Sequence, residues 1–172
     1  MATRARIGIQ KEDGTIIAAY QHWDGYPGGL GYNLEDNWTD PAKVTEAIML
    51  GDASKWGHII GDKIDFDDRE HPMQDIQNVY YGRDRGEKDT GYKVYKDEAD
   101  YLDRGYNAGE EYIYLLKMNT GKTDYIGKVK GEWFYADYDK TFKPLEEVAI
   151  NDHIASLKRY LAMKKERQIH KM

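Results

Sequence analysis

The run Gln21-His22-Trp23-Asp24-Gly25-Tyr26-Pro27-Gly28-Gly29-Leu30-Gly31 sets an imidazole, an indole, a carboxylate and a phenol among four glycines and a proline. Glycine opens backbone conformations closed to other residues and proline fixes its own φ, so this composition specifies a shaped loop that presents polar and aromatic groups. His22 and Asp24 lie two positions apart, and on an extended strand both side chains share a face. A carboxylate beside an imidazole raises its pKa and fixes its tautomer, so the pair reads as a general base with its orienting group or as a grip on a ligand. A structural use competes: His22 bonded to a backbone carbonyl, Asp24 capping the glycine turn. Trp23 and Tyr26 offer flat surface for stacking on a planar ligand, or plugs for the edge of the core.

A second constellation is Tyr80-Tyr81-Gly82-Arg83-Asp84-Arg85-Gly86-Glu87. Arg83 and Arg85, flanked by glycines and bracketed by Tyr81 and Glu87, present rigid donor forks suited to phosphate or carboxylate. The competing reading is a surface network in which both arginines pair with Asp84 and Glu87. If each segment leaves a strand of one sheet, the two meet as a single amphipathic pocket, with His22 and Arg83 on the same side. Asp62, Asp65, Asp67, Asp68, Glu70 and His71 form the densest acidic run, but its spacing departs from a calcium-binding loop, and it reads as a solvated or partner-facing segment. His58 and His153 stand alone and read as structural. No Walker loop, HExxH helix, zinc pair or nucleophile elbow occurs, so no metal or cofactor is expected.

The elements that must position these residues are partly visible. Arg4 to Gln10 and Thr15 to Gln21 flank an Asp13-Gly14 turn and predict an antiparallel hairpin, with the His22 loop leaving its second strand. Leu30 to Trp38 reads as a short helix. Asp40-Pro41 starts a helix whose Val44, Ala47 and Ile48 repeat at helical spacing up to Gly51. Residues 52–77 lack periodicity and read as an irregular acidic insertion. Strands are expected at Asn78 to Gly82, Glu111 to Met118, Thr123 to Val129 and Glu132 to Asp137, and a capped helix at Asp97 to Arg104. A C-terminal helix over 145–167, with Val148, Ile154, Leu157 and Leu161 as its apolar stripe, carries a basic end and a second cap at Asn151 or Asp152. The expected fold is one α+β domain over 1–172, a mainly antiparallel sheet with a few helices on it.

The chain of 172 residues is 33% charged with a mean hydropathy of −0.86, yet 15 tyrosines supply the buried area that disordered chains lack. Cysteine is absent, which excludes disulfides and a thiolate nucleophile. Neither a signal peptide nor an apolar run of about 20 residues is present, so a soluble intracellular protein without a membrane partner is expected. The net charge of −6 hides an asymmetry: residues 158–172 carry +5 and residues 1–157, with 19 basic against 30 acidic side chains, carry −11. An acidic body disfavours nonspecific binding to duplex DNA and leaves a basic protein partner or a small ligand.

Arg6-Ile7-Gly8, Asp13-Gly14, Tyr20 to Pro27, Gly31, Tyr81 to Glu87 and Glu111 to Tyr114 together resemble a group of small, uncharacterised bacteriophage proteins that carry an HWDGYP motif and a later RDRGE-like motif. The resemblance covers about residues 4 to 137 and implies a viral accessory protein acting in the cytoplasm of a host bacterium. Host takeover and anti-defence are the jobs such proteins take. The leading expectation is a noncatalytic inhibitor that binds or sequesters a host factor. One form is a nucleotide-binding sponge holding phosphate on Arg83 and Arg85 and a base on Trp23 or Tyr26, and another is an acidic decoy. The alternatives are a metal-assisted or acid–base hydrolase acting on a nucleotide, with His22 as base and Asp24 as orienter, and a structural virion component.

Overall fold

Strand β1 (Ala5–Gln10) is the middle of the fold because it pairs on both sides, antiparallel with β2 (Ile16–Gln21) and parallel with β6 (Tyr112–Lys117). The β1–β2 hairpin closes as the Asp13-Gly14 signal requires: Gly14 takes φ 88°, and the Asp13 carboxylate accepts from the Thr15 amide and hydroxyl. In the computed structural model, which describes residues 2–170, eight strands form one mixed, mostly antiparallel sheet in an α+β fold. Its order runs through β4 (Val79–Tyr80), β3 (Ala53–Lys55), β2, β1, β6, β7 (Glu132–Ala136) and β8 (Lys143–Pro144), with β5 (Lys93–Tyr95) on the free half of β2.

Alternation along the strands divides two cores. Ala5, Ile7, Ile9, Ile17 and Ala19 face the larger one, with Leu34 of α1 (Tyr32–Asn37), Val44 and Ile48 of α2 (Pro41–Met49), Tyr80, Tyr114 and Trp133. Ile16, Ala18, Ile113 and Leu115 face the smaller one, closed by Tyr95 and by Tyr101 of α4 (Glu98–Asn107). Caps appear where the sequence puts them, Asp40 on the Ala42 amide and Asp97 on the Asp100 amide. Among the described residues no helix is long and apolar enough to cross a membrane.

The helix expected over Leu30 to Trp38 is present as α1, with a π turn (Pro27–Gly31) running into it. Three expectations need correction. The strand over Asn78 to Gly82 stops at Tyr80, and Tyr81–Arg85 turn as the short helix α3 because the Asp84 carboxylate takes the Tyr80 amide at 2.7 Å. Thr123 to Val129 is a turn with one bridge, since Asp124 caps the Ile126 and Lys128 amides and Gly127 takes φ 86°. The C-terminal helix α5 runs unbroken over Glu146–His170, without a second cap. Residues 52–77, although irregular, are built into the molecule: they supply β3 and bury Trp56, Phe66, Gln74 and Gln77.

The larger cost lies under β1. Arg6 donates from Nε to Glu110 Oε1 at 3.0 Å and from Nη2 to the same oxygen, with both side chains almost wholly buried. Arg6 Nη1 and Glu110 Oε2 have no partner. Two charges removed from water are tolerable only as a pair, and breaking one side leaves a buried uncompensated ion. Glu110→Ala is therefore expected to lose about 3–5 kcal/mol in denaturant unfolding, and the double replacement Arg6→Met, Glu110→Leu to lose less than the single one. A loss under about 1 kcal/mol for Glu110→Ala would show that the pair is not a structural tie.

Candidate functional site

Where β2 ends, the chain stays on β3 for two more residues, the His22 amide donating to Ala53 O and the Trp23 amide to Ser54 O. Asp24 then turns it with φ 56°, a conformation that Asp tolerates better than most side chains. Gly25 is pinned from both sides: its amide donates to Thr3 O at 2.9 Å, and its carbonyl accepts from the Tyr114 hydroxyl at 2.6 Å. Leu30 N returns to Asp24 O at 2.9 Å and closes the loop. Helix α5 holds the π turn: the Asp152 carboxylate accepts from Gly28 N at 2.7 Å, and His153 Nδ1 lies 3.2 Å from Gly28 O. A carbonyl only accepts, so His153 carries its proton on Nδ1, and its ring stacks on Tyr32 at 3.8 Å. A Cβ at Gly28 would lie 2.5 Å from the Asp152 carboxylate, so only glycine fits under the helix.

This loop forms one wall of a cleft of about 240 Å³. Trp23, Asp24 and Tyr26 stand on that wall; Lys55, Gly57, His58 and Asp75 form the other; Gln21, Leu30, Asn33 and Trp56 lie between them. The second wall is fixed through Gly57, whose carbonyl accepts from Asn33 Nδ2 and Trp38 Nε1 at 2.9 Å each and whose amide donates to Asn78 Oδ1 at 2.7 Å. A Cβ there would sit 2.3 Å from Ile76 O. Gln21 ties the walls together, accepting from Trp56 N and donating to Trp23 O. Lys55 pairs with Asp75 at 2.9 Å. The buried indole N–H of Trp56 has no partner.

The first constellation is thus divided by strand alternation. Gln21 and Trp23 line the cleft, whereas the His22 Nδ1 meets the Tyr20 hydroxyl at 2.6 Å and its ring stands edge-on to the Trp23 indole, centroids 4.7 Å apart. Burial pushes the Tyr20 phenol up to about 12, so it stays a hydrogen-bonding hydroxyl. Burial also raises the Tyr81 phenol. His22 makes no hydrogen bond to Asp24, because the left-handed turn at Asp24 breaks the extended spacing that would align them. The expected base-and-orienter geometry is therefore not present.

Arg83 also departs from expectation. Its Nε donates to Asp84 Oδ1, Nη1 to Ile60 O and Gly61 O, and Nη2 to Asn78 O and Asp84 Oδ2, all within 2.8–3.3 Å. Five donors meet five acceptors, which leaves none for an anion. The guanidinium lies over the Tyr80 ring and does not line the Trp23–Tyr26 cleft, so the two segments do not make one pocket. Arg85 is half exposed, over the Phe66 ring and near Asp67 and Glu87. The acids of residues 62–71 are spent partly on turns, Asp65 accepting from Asp67 N and Asp68 from Glu70 N. Among the described residues no three His, Asp or Glu side chains are grouped to hold a metal ion.

Sequence reasoning missed Asn33, Lys55, Trp56, His58 and Asp75. The available signal was Lys55-Trp56-Gly57-His58, which repeats the aromatic, glycine and polar composition of the first loop inside an aperiodic stretch. Comparison with known proteins brings no further residue to the site: no family model, curated protein or solved structure matches the chain.

Arg83 and Arg85 separate under mutation. Arg83→Met, which takes the counter-charge from the buried Asp84 carboxylate and the donor from three carbonyls, is expected to cost about 2–4 kcal/mol in denaturant unfolding, and Arg85→Met less than about 0.5 kcal/mol. Equal small losses would return Arg83 to the surface. Glu35, on α1 beside α5, gives a pH readout. Burial first and Glu146 second push its carboxyl up to about 7. A raised acid favours the folded state below the unfolded pKa near 4.5, and that contribution disappears as pH rises through about 7. Glu35→Gln is expected to raise stability on the order of 2 kcal/mol at pH 8 and not at pH 4. A gain that does not depend on pH would contradict the burial of Glu35.

Proposed function

We propose that the protein is a noncatalytic binder, a bacteriophage accessory protein that inhibits or sequesters a host factor, with the Trp23–Tyr26 cleft as its binding surface. The observation that carries this reading is the exposure of Trp23 at 41% and Tyr26 at 36% on a loop whose backbone is pinned by Thr3 ahead of β1, by Tyr114 of β6 and by α5. Aromatic area held rigid in solvent loses little conformational entropy on binding and supplies most of the energy in protein recognition.

The chemistry of the rim favours a basic segment of a host protein. Asp24 and Asp75 outnumber Lys55 in the cleft, within a body of charge −11 over residues 1–157. A lysine or arginine laid over Trp23 or Tyr26 gains a cation–π contact with Asp24 as counter-charge. A nucleotide phosphate has less support, because the Arg83 fork is fully occupied by the protein itself.

The test is an NMR titration that follows the indole N–H signals of Trp23 and Trp56 with an arginine-rich peptide and, separately, with ATP. The peptide is expected to shift both signals saturably, and Trp23→Ala to weaken its affinity by tenfold or more without lowering Tm. Saturable binding of ATP in place of the peptide, or unchanged peptide affinity in Trp23→Ala, would overturn the reading.

A further inference from the structure

Helix α5 is about 37 Å long, at 1.5 Å per residue, but only its first part is attached to the domain. Ala149 is buried, Asp152 and His153 grip Gly28, and from Ile154 onward no described residue of the helix is buried. Ile150, Ile154, Leu157 and Leu161 follow one another at spacings of four, three and four, which is the seam of a two-helix coil. They are 40%, 43%, 55% and 51% exposed. A helical arm with one such row open to water is poorly supported by itself, because most helix stability in proteins comes from packing an apolar face.

The charges along the same helix say what covers the row. Glu146, Glu147 and Asp152 lie in its first two turns, and Lys158, Arg159, Lys164, Lys165 and Arg167 in its second half. We propose that the protein forms a homodimer in which the α5 helices of two copies pair antiparallel along Ile150, Ile154, Leu157 and Leu161. With Ile154 level with Leu157 of the second copy, Ile150 is level with its Leu161, and Glu147 with its Lys164. The acidic half of each helix then lies along the basic half of the other. Antiparallel pairing also keeps the two bodies at opposite ends. Parallel pairing would set two bodies of charge −11 side by side and align like charges along the helices.

Sedimentation over a concentration series tests the association, and the absence of native cysteine makes the orientation testable too. The wild-type chain is expected to sediment as a dimer at micromolar concentration. Leu157→Glu should make it a monomer that keeps the domain's Tm and loses helical circular dichroism only from the free end of α5. Glu147→Lys should weaken the dimer at least tenfold, and Glu147→Lys with Lys164→Glu should restore it. When Ile154→Cys and Leu157→Cys variants are mixed and oxidised, the antiparallel register yields the mixed 154–157 disulfide. A wild-type monomer up to high micromolar concentration, a dimer unaffected by Leu157→Glu, no rescue by the charge swap, or disulfides only between like positions would each overturn the proposal. If Leu157→Glu unfolds the domain, the charge swap and the crosslink decide alone.

Discussion

Gly28 has no side chain, and its amide and carbonyl are both taken by successive residues of α5, the amide by the Asp152 carboxylate and the carbonyl by His153 Nδ1. A hydrogen bond to a carboxylate is roughly twice as strong as a neutral one, so this joint ties the π turn firmly to the helix. The aromatic wall of the cleft depends on it. The π turn sets the direction in which Tyr26 leaves the surface, Leu30 of the same turn reaches back to Asp24 O, and Asp24 sets where Trp23 stands. The helix is fixed in return, because its first turns have little else to pack on besides this turn and α1.

The sheet beneath explains why the cleft has the residues it has. β1 is paired on both edges, and β2 shares its outer edge between β5 and β3, so the end of β2 is one of the most constrained points from which a loop can start. Alternation there is decisive. It sends Trp23 to the cleft and gives the His22 Nδ1 to the Tyr20 hydroxyl, so the one histidine of the motif meets the aromatic rim only through an edge-to-face contact with Trp23. The buried Arg6–Glu110 pair ties β1 to the residues that lead into β6, and the loop is pinned by Thr3, just before β1, and by Tyr114 of β6.

What was legible in the sequence was local. Asp13-Gly14 announced the hairpin, Asp40-Pro41 and Asp97 announced α2 and α4, and the apolar runs announced β6 and β7, because each signal acts through its own neighbours. β3 could not be read, since Ala53-Ser54-Lys55 has no period of its own and is a strand only because β2 and β4 flank it. Arg83 looked available because three of its five acceptors are distant backbone carbonyls, and nothing in the sequence says that Ile60, Gly61 and Asn78 turn their carbonyls toward it. Asp152 looked like a helix cap, and its use on Gly28, 124 positions away, is tertiary. Half of the cleft was missed for the same reason: Lys55, His58 and Asp75 reach it through an aperiodic segment folded on Gly57.

The central claim is that α5 holds the Trp23–Tyr26 rim in place before any partner arrives, and the exchange rate of the Gly28 amide proton tests it most directly. An amide held by a carboxylate at this joint should exchange only when the domain opens widely, with protection close to that of the β1 amides. Exchange at the rate of an exposed loop, with β1 still protected, would mean that the rim is mobile and that the helix does not hold it.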